Sequence, residues 1–150
     1  MRQSGLPVPC DQTTRLPTVD GVYADIGDQQ NIEHAVSTFS SHITAIAAIM
    51  LHATPKSLVL LDELGASTDP DEGAALARAV VARFMKDDVP AVVTTHHRTL
   101  AAFAEDHPRL QNASVELNPR SLEPNYKLTV GIPGRSYALS IASRIGLEAA

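Results

Sequence analysis

The amino-acid sequence predicts an α/β fold in which helices cover the faces of a sheet. Strand candidates occur at residues 19–24, 58–61 and 91–95, and the uninterrupted aliphatic run at 58–61 is typical of a strand buried on both faces. Between them, residues 40–53 and about 70–85 carry apolar side chains at helical spacing. No internal repeat divides the chain, so the alternation of strands and helices indicates one domain or part of one.

The two predicted helices have defined ends and apolar faces. Pro55 terminates the first helix. Its expected buried face comprises Ile43, Ile46, Ala47, Met50 and Leu51. At the second helix, Asp69 is the expected N-cap, Pro70 takes the first position and Glu72 completes a capping box. The buried face expected there comprises Leu76, Ala77, Val80 and Phe84.

The flanking segments complete the predicted order of elements. Residues 1–20 have the character of the tail of a preceding helix and a connector, because the prolines at 7 and 9 prevent a helix. Residues 25–38 are expected to form a polar loop. Beyond the third strand we expect a short helix at 99–105 and strands at 113–117 and 126–132, which pair late in the sheet. A final helix at 136–145 would end at Gly146.

The composition is typical of an intracellular domain. The chain has 150 residues, of which 44% are hydrophobic and 19% charged. A single Cys10 excludes an internal disulfide framework, and no long apolar run begins the sequence, so we expect a cytoplasmic location and no membrane partner. The net charge is −5 and basic residues are scattered, so this segment is not expected to hold nucleic acid by itself.

Two adjacent acids, Asp62 and Glu63, follow four consecutive aliphatic residues. In α/β sheets, ligands bind where such strands end. In nucleotide hydrolysis, the first acid of such a pair holds Mg²⁺ and the second orients and deprotonates the attacking water. A strand that simply ends in solvated acids is the simpler alternative, and the pair alone does not decide between the two.

Neighbouring segments favour the chemical interpretation. Residues 65–70 form a tight loop before the capped helix, and His96 ends the next strand at the same sheet edge as Glu63. A histidine there can hydrogen-bond a γ-phosphate, although a locally satisfied strand-end histidine is the alternative. Upstream, the hydroxyls of residues 37–41 begin a helix, where they act as caps or as an anion site for a phosphate presented by another subunit.

A phosphate loop of the form G-x-x-x-x-G-K-[ST] does not occur among the 150 residues. Most nucleotide affinity in such sites comes from that loop's backbone N–H groups and lysine. We therefore expect this chain alone to bind Mg·ATP poorly.

Several short segments together resemble the MutS-type DNA repair ATPases of the ABC class. They are residues 25–28, 37–40, 60–65, 68–70, 94–96, 112–116 and 131–136. The likeness is greatest to the second bacterial MutS branch, which lacks a mismatch-reading domain and usually carries a C-terminal Smr nuclease domain. The resemblance implies an incomplete ABC-type P-loop NTPase sheet flanked by helices. Residues 1–150 would be the C-terminal portion of the ATPase domain, without the phosphate-loop strand and helix.

The same resemblance implies roles for individual residues. Asp62 resembles the Walker B magnesium ligand, Glu63 the catalytic base and His96 the switch histidine. The other nucleotide contacts it implies are Ser37 and Thr38 in the signature loop, Gln29 or Gln30 in the glutamine loop, and Asp69 in the loop facing a partner. Cofactors would be ATP and Mg²⁺, shared in a homodimer, with DNA bound by other parts of the full protein. Departures from the family pattern are Ser41 and Ser67, where glycine is more usual, and His97, where tyrosine is.

Two other functions stay open on the sequence. The chain is alternatively a noncatalytic interaction or relic module that docks on an intact homologue through its partner-facing loops. A metal-dependent hydrolase using Asp62, Glu63, His96 and His97 is the weakest possibility, since no H-E-x-x-H motif occurs and neighbouring strand histidines are expected on opposite faces.

Overall fold

The computed structural model describes residues 2–27, 37–66, 68–118, 121, 123–134, 143 and 146. Two compact units divide the chain, Met1–His97 and Arg98–Ala150. The first contains a parallel sheet and the second an antiparallel one, each accompanied by helix. The predicted α/β class is confirmed.

The first unit is built on three parallel strands, β1 (Val22–Asp25), β2 (Leu58–Leu61) and β3 (Ala91–Val93), with β2 in the centre. Val59 is fully buried and Leu61 is 2% exposed, while the alternate side chains of β2 are half-buried. Cover on both faces explains why this strand is an uninterrupted aliphatic run.

Helix α1 (Ser37–His52) is attached to β1 near both of its ends. His42 Nδ1 lies 2.8 Å from Asp25 Oδ2. Sixteen residues of helix span about 24 Å, and near the far end the Tyr23 hydroxyl donates a hydrogen bond to the His52 carbonyl over 3.2 Å. These two contacts fix the helix along the strand.

The buried face of α1 is narrower than the sequence predicts. Ile46 is buried as expected, and Ile49 is buried without having been predicted. Leu51 is 79% exposed and Ala47 is also exposed, so the prediction for these two residues is wrong. Two residues advance a helix by about 200°, which turns Leu51 away from the face that Ile49 occupies.

Helix α2 (Pro70–Lys86) begins at the predicted cap. The Asp69 carboxylate accepts hydrogen bonds from the backbone N–H groups of Asp71 (3.0 Å) and Glu72 (3.2 Å). Half of the predicted capping box is present, the bond from the Glu72 N–H to Asp69, whereas the Glu72 carboxylate accepts a bond from the Thr68 hydroxyl and not from the Asp69 N–H. The buried residues are Gly73, Ala77, Val80 and Phe84, while Leu76 is only half-buried.

Asp20 joins two loops at the amino-terminal end of the sheet. Its carboxylate accepts hydrogen bonds from the hydroxyls of Thr54 (2.7 Å) and Ser57 (2.8 Å). Ser57 is 1% exposed, so this bond satisfies a buried hydroxyl. The two hydroxyls hold the pKa of Asp20 below its ordinary value of 3.8, because they favour the charged form.

The second unit contains α3 (Arg98–Glu105) and an antiparallel hairpin of β4 (Ala113–Leu117) and β5 (Pro124–Val130). Its register places Val115 opposite Leu128, and both side chains are more than half exposed. On the alternate positions, the hydroxyl of Thr129 donates to Glu116 and helps to hold the pKa of that carboxyl below its ordinary value. The two late strands pair as expected, but among the described residues they form a two-stranded sheet of their own and are not part of the main sheet.

Other element boundaries differ from the predicted ones by at most three residues. The first strand starts at Val22, α1 starts at Ser37, α3 starts at Arg98, and β3 ends at Val93. The hairpin's second strand ends before Gly131, whose φ of 88° turns the chain. The predicted final helix at 136–145 lies outside the described residues. In the part of the chain that the structure describes, no helix is long and apolar enough to cross a membrane.

Candidate functional site

Asp62 and Glu63 lie where β2 ends, at the edge where the carboxyl ends of the parallel strands meet. They line a cavity of about 230 Å³ that Asp25 and His42 also line. The apolar side chains around it are Phe39, Ile43, Ile46, Leu61, Leu64 and Leu76. Three carboxylates beside one imidazole favour a cation, so a phosphate bound here requires a cation or donors from elsewhere.

The end of β2 is bonded to both neighbouring strands. The Asp62 backbone N–H donates to the Asp25 carbonyl over 2.9 Å, and the Asp62 carboxylate accepts a hydrogen bond from the Thr94 hydroxyl. Glu63 is exposed and has φ 48°, in the left-handed region that non-glycine residues rarely adopt. The exposed carboxylate is accessible to a ligand.

Two glycines bring the loop after Glu63 into backbone contact with α2. A Cβ on Gly73 would lie 2.1 Å from the Gly65 carbonyl oxygen, and one on Gly65 would lie 2.5 Å from that of Gly73. His97 Nε2 lies 3.1 Å from the same Gly65 oxygen, so Nε2 carries a proton and donates it. This contact fixes where the loop runs relative to the sheet.

His96 and His97 follow β3 and have different surroundings. His97 is 8% exposed beside Gly65, whereas His96 is exposed. Their ring centroids are 4.5 Å apart with the planes tilted by 36°. The expectation that they lie on opposite faces is wrong, because β3 ends at Val93 and strand alternation does not extend to them.

Asp25 and His42 form a pair that the sequence analysis missed. The two side chains are 14% and 22% exposed and meet at 2.8 Å beside the cavity. The two residues are 17 positions apart in the sequence. The only sequence feature that could have indicated their contact is a polar residue at the end of a strand followed by a histidine near the start of the next helix. Their contact connects the first turns of α1 to the sheet edge that carries Asp62.

The remaining predicted site residues are less defined. Ser37 and Thr38 begin α1, but their side chains are not among those the structure describes, and Gln29 and Gln30 lie outside the described residues. The carboxylate of Asp69 accepts the two capping bonds of α2.

Within the described residues, no three His, Cys, Asp or Glu side chains converge to hold a metal ion. A zinc hydrolase needs such a cluster, and the His97 ring is bonded to the Gly65 carbonyl, so the structure gives that alternative no support. Magnesium differs, because it is held by one or two carboxylates together with waters and substrate phosphates. Asp62 and Glu63 are two carboxylates at one edge of the sheet, which is the number that such a site takes from the protein.

Comparison with known proteins gives one consistent relationship. The family model described as MutS domain V matches residues 1–150. Proteins named Endonuclease MutS2 from Thermomicrobium roseum and Thermotoga maritima are 50% and 47% identical over 147 and 148 residues. These alignments cover 98% and 99% of this chain but 19% and 20% of the relatives. The chain therefore spans about a fifth of the length of the curated relatives it matches.

Proposed function

Because the chain belongs to the MutS domain V family, we propose that it is the part of a MutS-like DNA repair ATPase that carries the hydrolytic residues. The observation that carries the proposal is the Asp62–Glu63 pair, at the carboxyl end of a buried central parallel strand. The described residues supply the acids for hydrolysis, whereas the sequence supplies no phosphate loop.

In this proposal Asp62 holds Mg²⁺, directly or through water, and Glu63 acts on the attacking water. Bound Mg²⁺ would neutralise charge on the nucleotide phosphates. One oxygen of the Asp62 carboxylate accepts the Thr94 hydroxyl, which leaves the other for a cation. The exposed Glu63 carboxylate can reach solvent and accept a proton. His96, which is exposed three residues beyond the end of β3, would contact a γ-phosphate.

The other ATP contacts are also part of the proposal. Ser37 and Thr38 would meet the γ-phosphate of a nucleotide held by a second copy, where the N-terminal end of α1 favours an anion. Asp69 would act by shaping the loop that faces the partner, since its carboxylate caps α2, and Gln29 would be a further nucleotide contact. The assembly would be a cytoplasmic homodimer, with DNA bound by other domains and residues 1–20 serving as a connector.

A noncatalytic docking module, which keeps the partner-facing loops without supplying turnover, is the second candidate. Such a module would dock on an intact homologue through the Ser37 and Gly65 loops. Co-purification with a full-length homologue that Glu63→Gln leaves unchanged, without any turnover, would favour docking over catalysis.

The test uses a fusion in which residues 1–150 replace the matching region of the Thermotoga maritima relative. Glu63→Gln removes the general base and keeps the side-chain shape, so we expect ATP turnover to fall by about 100-fold while ATP binding is retained. Steady-state ATPase assays and nucleotide binding measure the two effects.

Glu105→Gln, on the exposed end of α3, is the matched control and should leave turnover unchanged. Equal turnover of the Glu63→Gln and unmodified fusions would refute the assignment of the base. The 150-residue chain alone should show no turnover above background, and turnover there that Glu63→Gln abolishes would refute the need for an added phosphate loop.

A further inference from the structure

We propose that Thr94 is a positioning residue that sets the orientation of Asp62 and Glu63. The inference rests on the proposed function for the roles of the two acids, and it assigns a further residue to the same site. Thr94 is the first residue after β3, at the point where that strand stops pairing with β2. It contacts no substrate in this proposal and acts only through the two acids.

Thr94 is hydrogen-bonded to four consecutive residues at the end of β2. Its backbone N–H donates to the Leu61 carbonyl over 2.9 Å, and its carbonyl accepts from the Leu64 N–H over 3.0 Å. Its hydroxyl accepts the Glu63 N–H over 2.9 Å and donates to the Asp62 carboxylate. One residue therefore determines where the whole 61–64 segment lies.

The conformation of Glu63 needs this support. A non-glycine residue at φ 48° is disfavoured, and such a conformation persists only where the surroundings fix it. The bonds to Thr94 lie on both sides of it, one at the Glu63 N–H and one at the Leu64 N–H. Without the hydroxyl, the Glu63 N–H loses its partner and one of these two restraints disappears.

Only a hydroxyl side chain can make both side-chain contacts. It must accept from an N–H and donate to a carboxylate at the same time, which Ser and Thr can do and Val cannot. The neighbouring Thr95 makes different contacts, because its hydroxyl donates to the Leu64 carbonyl and accepts the His97 N–H. The two adjacent threonines thus form different hydrogen bonds, and of the two only Thr94 contacts Asp62 and Glu63.

The experiment compares Thr94→Val, which removes the hydroxyl and keeps the shape, with Thr94→Ser, which keeps the hydroxyl. In the 150-residue chain, hydrogen exchange at the Glu63 amide should be about fivefold to tenfold faster in Thr94→Val, the factor that one hydrogen bond contributes, and near normal in Thr94→Ser. In the fusion, Thr94→Val should lower kcat about 10-fold to 100-fold without changing KM, and Thr94→Ser should restore it.

Thr44→Val, on the exposed side of α1, is the matched control and should change neither quantity. Unchanged Glu63 exchange in Thr94→Val, a raised KM at constant kcat, or a failure of Thr94→Ser to restore either quantity would overturn the proposal. If the unmodified fusion shows no turnover, the proposed function fails, and amide exchange alone then decides whether Thr94 positions Glu63.

Discussion

Different contacts stabilise the parallel sheet of the first unit and the hairpin of the second. In the first, backbone groups beyond the strand ends are bonded across neighbouring strands, as at Asp62 and Leu64. In the hairpin, the antiparallel register shifts between Val115 and Leu117, and the side chains of Asn125 and Thr129 donate hydrogen bonds to Glu116. Apolar side chains of the hairpin, such as Leu128, stay largely exposed.

This difference shows which kind of substitution each unit tolerates. Where position depends on backbone contacts, as between Gly65 and Gly73, any added atom moves the chain. Where the strands are held by side chains that are half exposed, truncating one of those side chains removes few packing contacts. We expect substitutions to separate the two units by the size of their effect on unfolding.

The largest effect is expected for Gly65→Ala, compared with Gly131→Ala in the hairpin unit. Both glycines have φ 88°, so both changes carry the same backbone cost of about 1–2 kcal/mol. Only at Gly65 would the new Cβ meet backbone, 2.5 Å from the Gly73 carbonyl, which adds about 1–3 kcal/mol. Urea unfolding monitored by circular dichroism measures the difference.

A Cβ on Gly131 has no heavy atom within 4 Å, which makes this position the matched control. Equal losses in the free energy of unfolding at Gly65 and Gly131 would show that the close approach of Gly65 to Gly73 does not add to the cost of the substitution. Gly73→Ala should also destabilise the chain, although the same change normally favours a helix.

A smaller difference is expected for valine truncation. Val59→Ala removes two methyl groups from a fully buried position of β2 and should cost about 2 kcal/mol in the free energy of unfolding. Val130→Ala removes the same groups from a side chain that is 55% exposed and should cost about 0.5 kcal/mol or less. Thermal unfolding of the two variants in parallel checks this, and similar losses would contradict the burial difference.

The smallest effect concerns acid stability. The Thr54 and Ser57 hydroxyls lower the pKa of Asp20 in the folded state. The carboxylate therefore contributes to the free energy of unfolding above pH 3.8, and this contribution is lost as the pH falls through the folded pKa. Asp20→Asn should therefore flatten the decline of the urea midpoint between pH 5 and pH 2, compared with the unmodified chain. Glu116→Gln provides the same comparison for the hairpin, and an unaltered decline in either variant would contradict that carboxyl's role.

The sequence predicted the elements better than their contacts. The run of residues 58–61 and the Asp69-Pro70 start were sufficient to place β2 and α2, because burial and capping leave local patterns. The position of Asp62 and Glu63 at the sheet edge followed from the parallel arrangement. That the described β4 and β5 form a sheet of their own was not predictable, because alternation in these strands does not specify which further strand is the neighbour.

The contacts that define the candidate site were missed for a related reason. Asp25 meets His42 across 17 residues, and Thr94 meets Asp62 across 32. Such pairs depend on the register between strands and the placement of a helix, which no local pattern encodes. The approach of Gly73 to Gly65 was also missed, because a glycine in a helix can indicate close packing but does not show which residue it packs against.

The contact between Gly65 and Gly73 also has a genetic consequence. Any nucleotide change that replaces glycine with another residue introduces a Cβ atom, and neither Gly65 nor Gly73 has room for one. Since each glycine leaves its space to the carbonyl of the other, a change at one cannot be offset by shrinking the other. Selection should therefore remove gene variants that change the amino acid at either position. Amino-acid substitutions at Gly65 and Gly73 should accumulate more slowly than at Gly131.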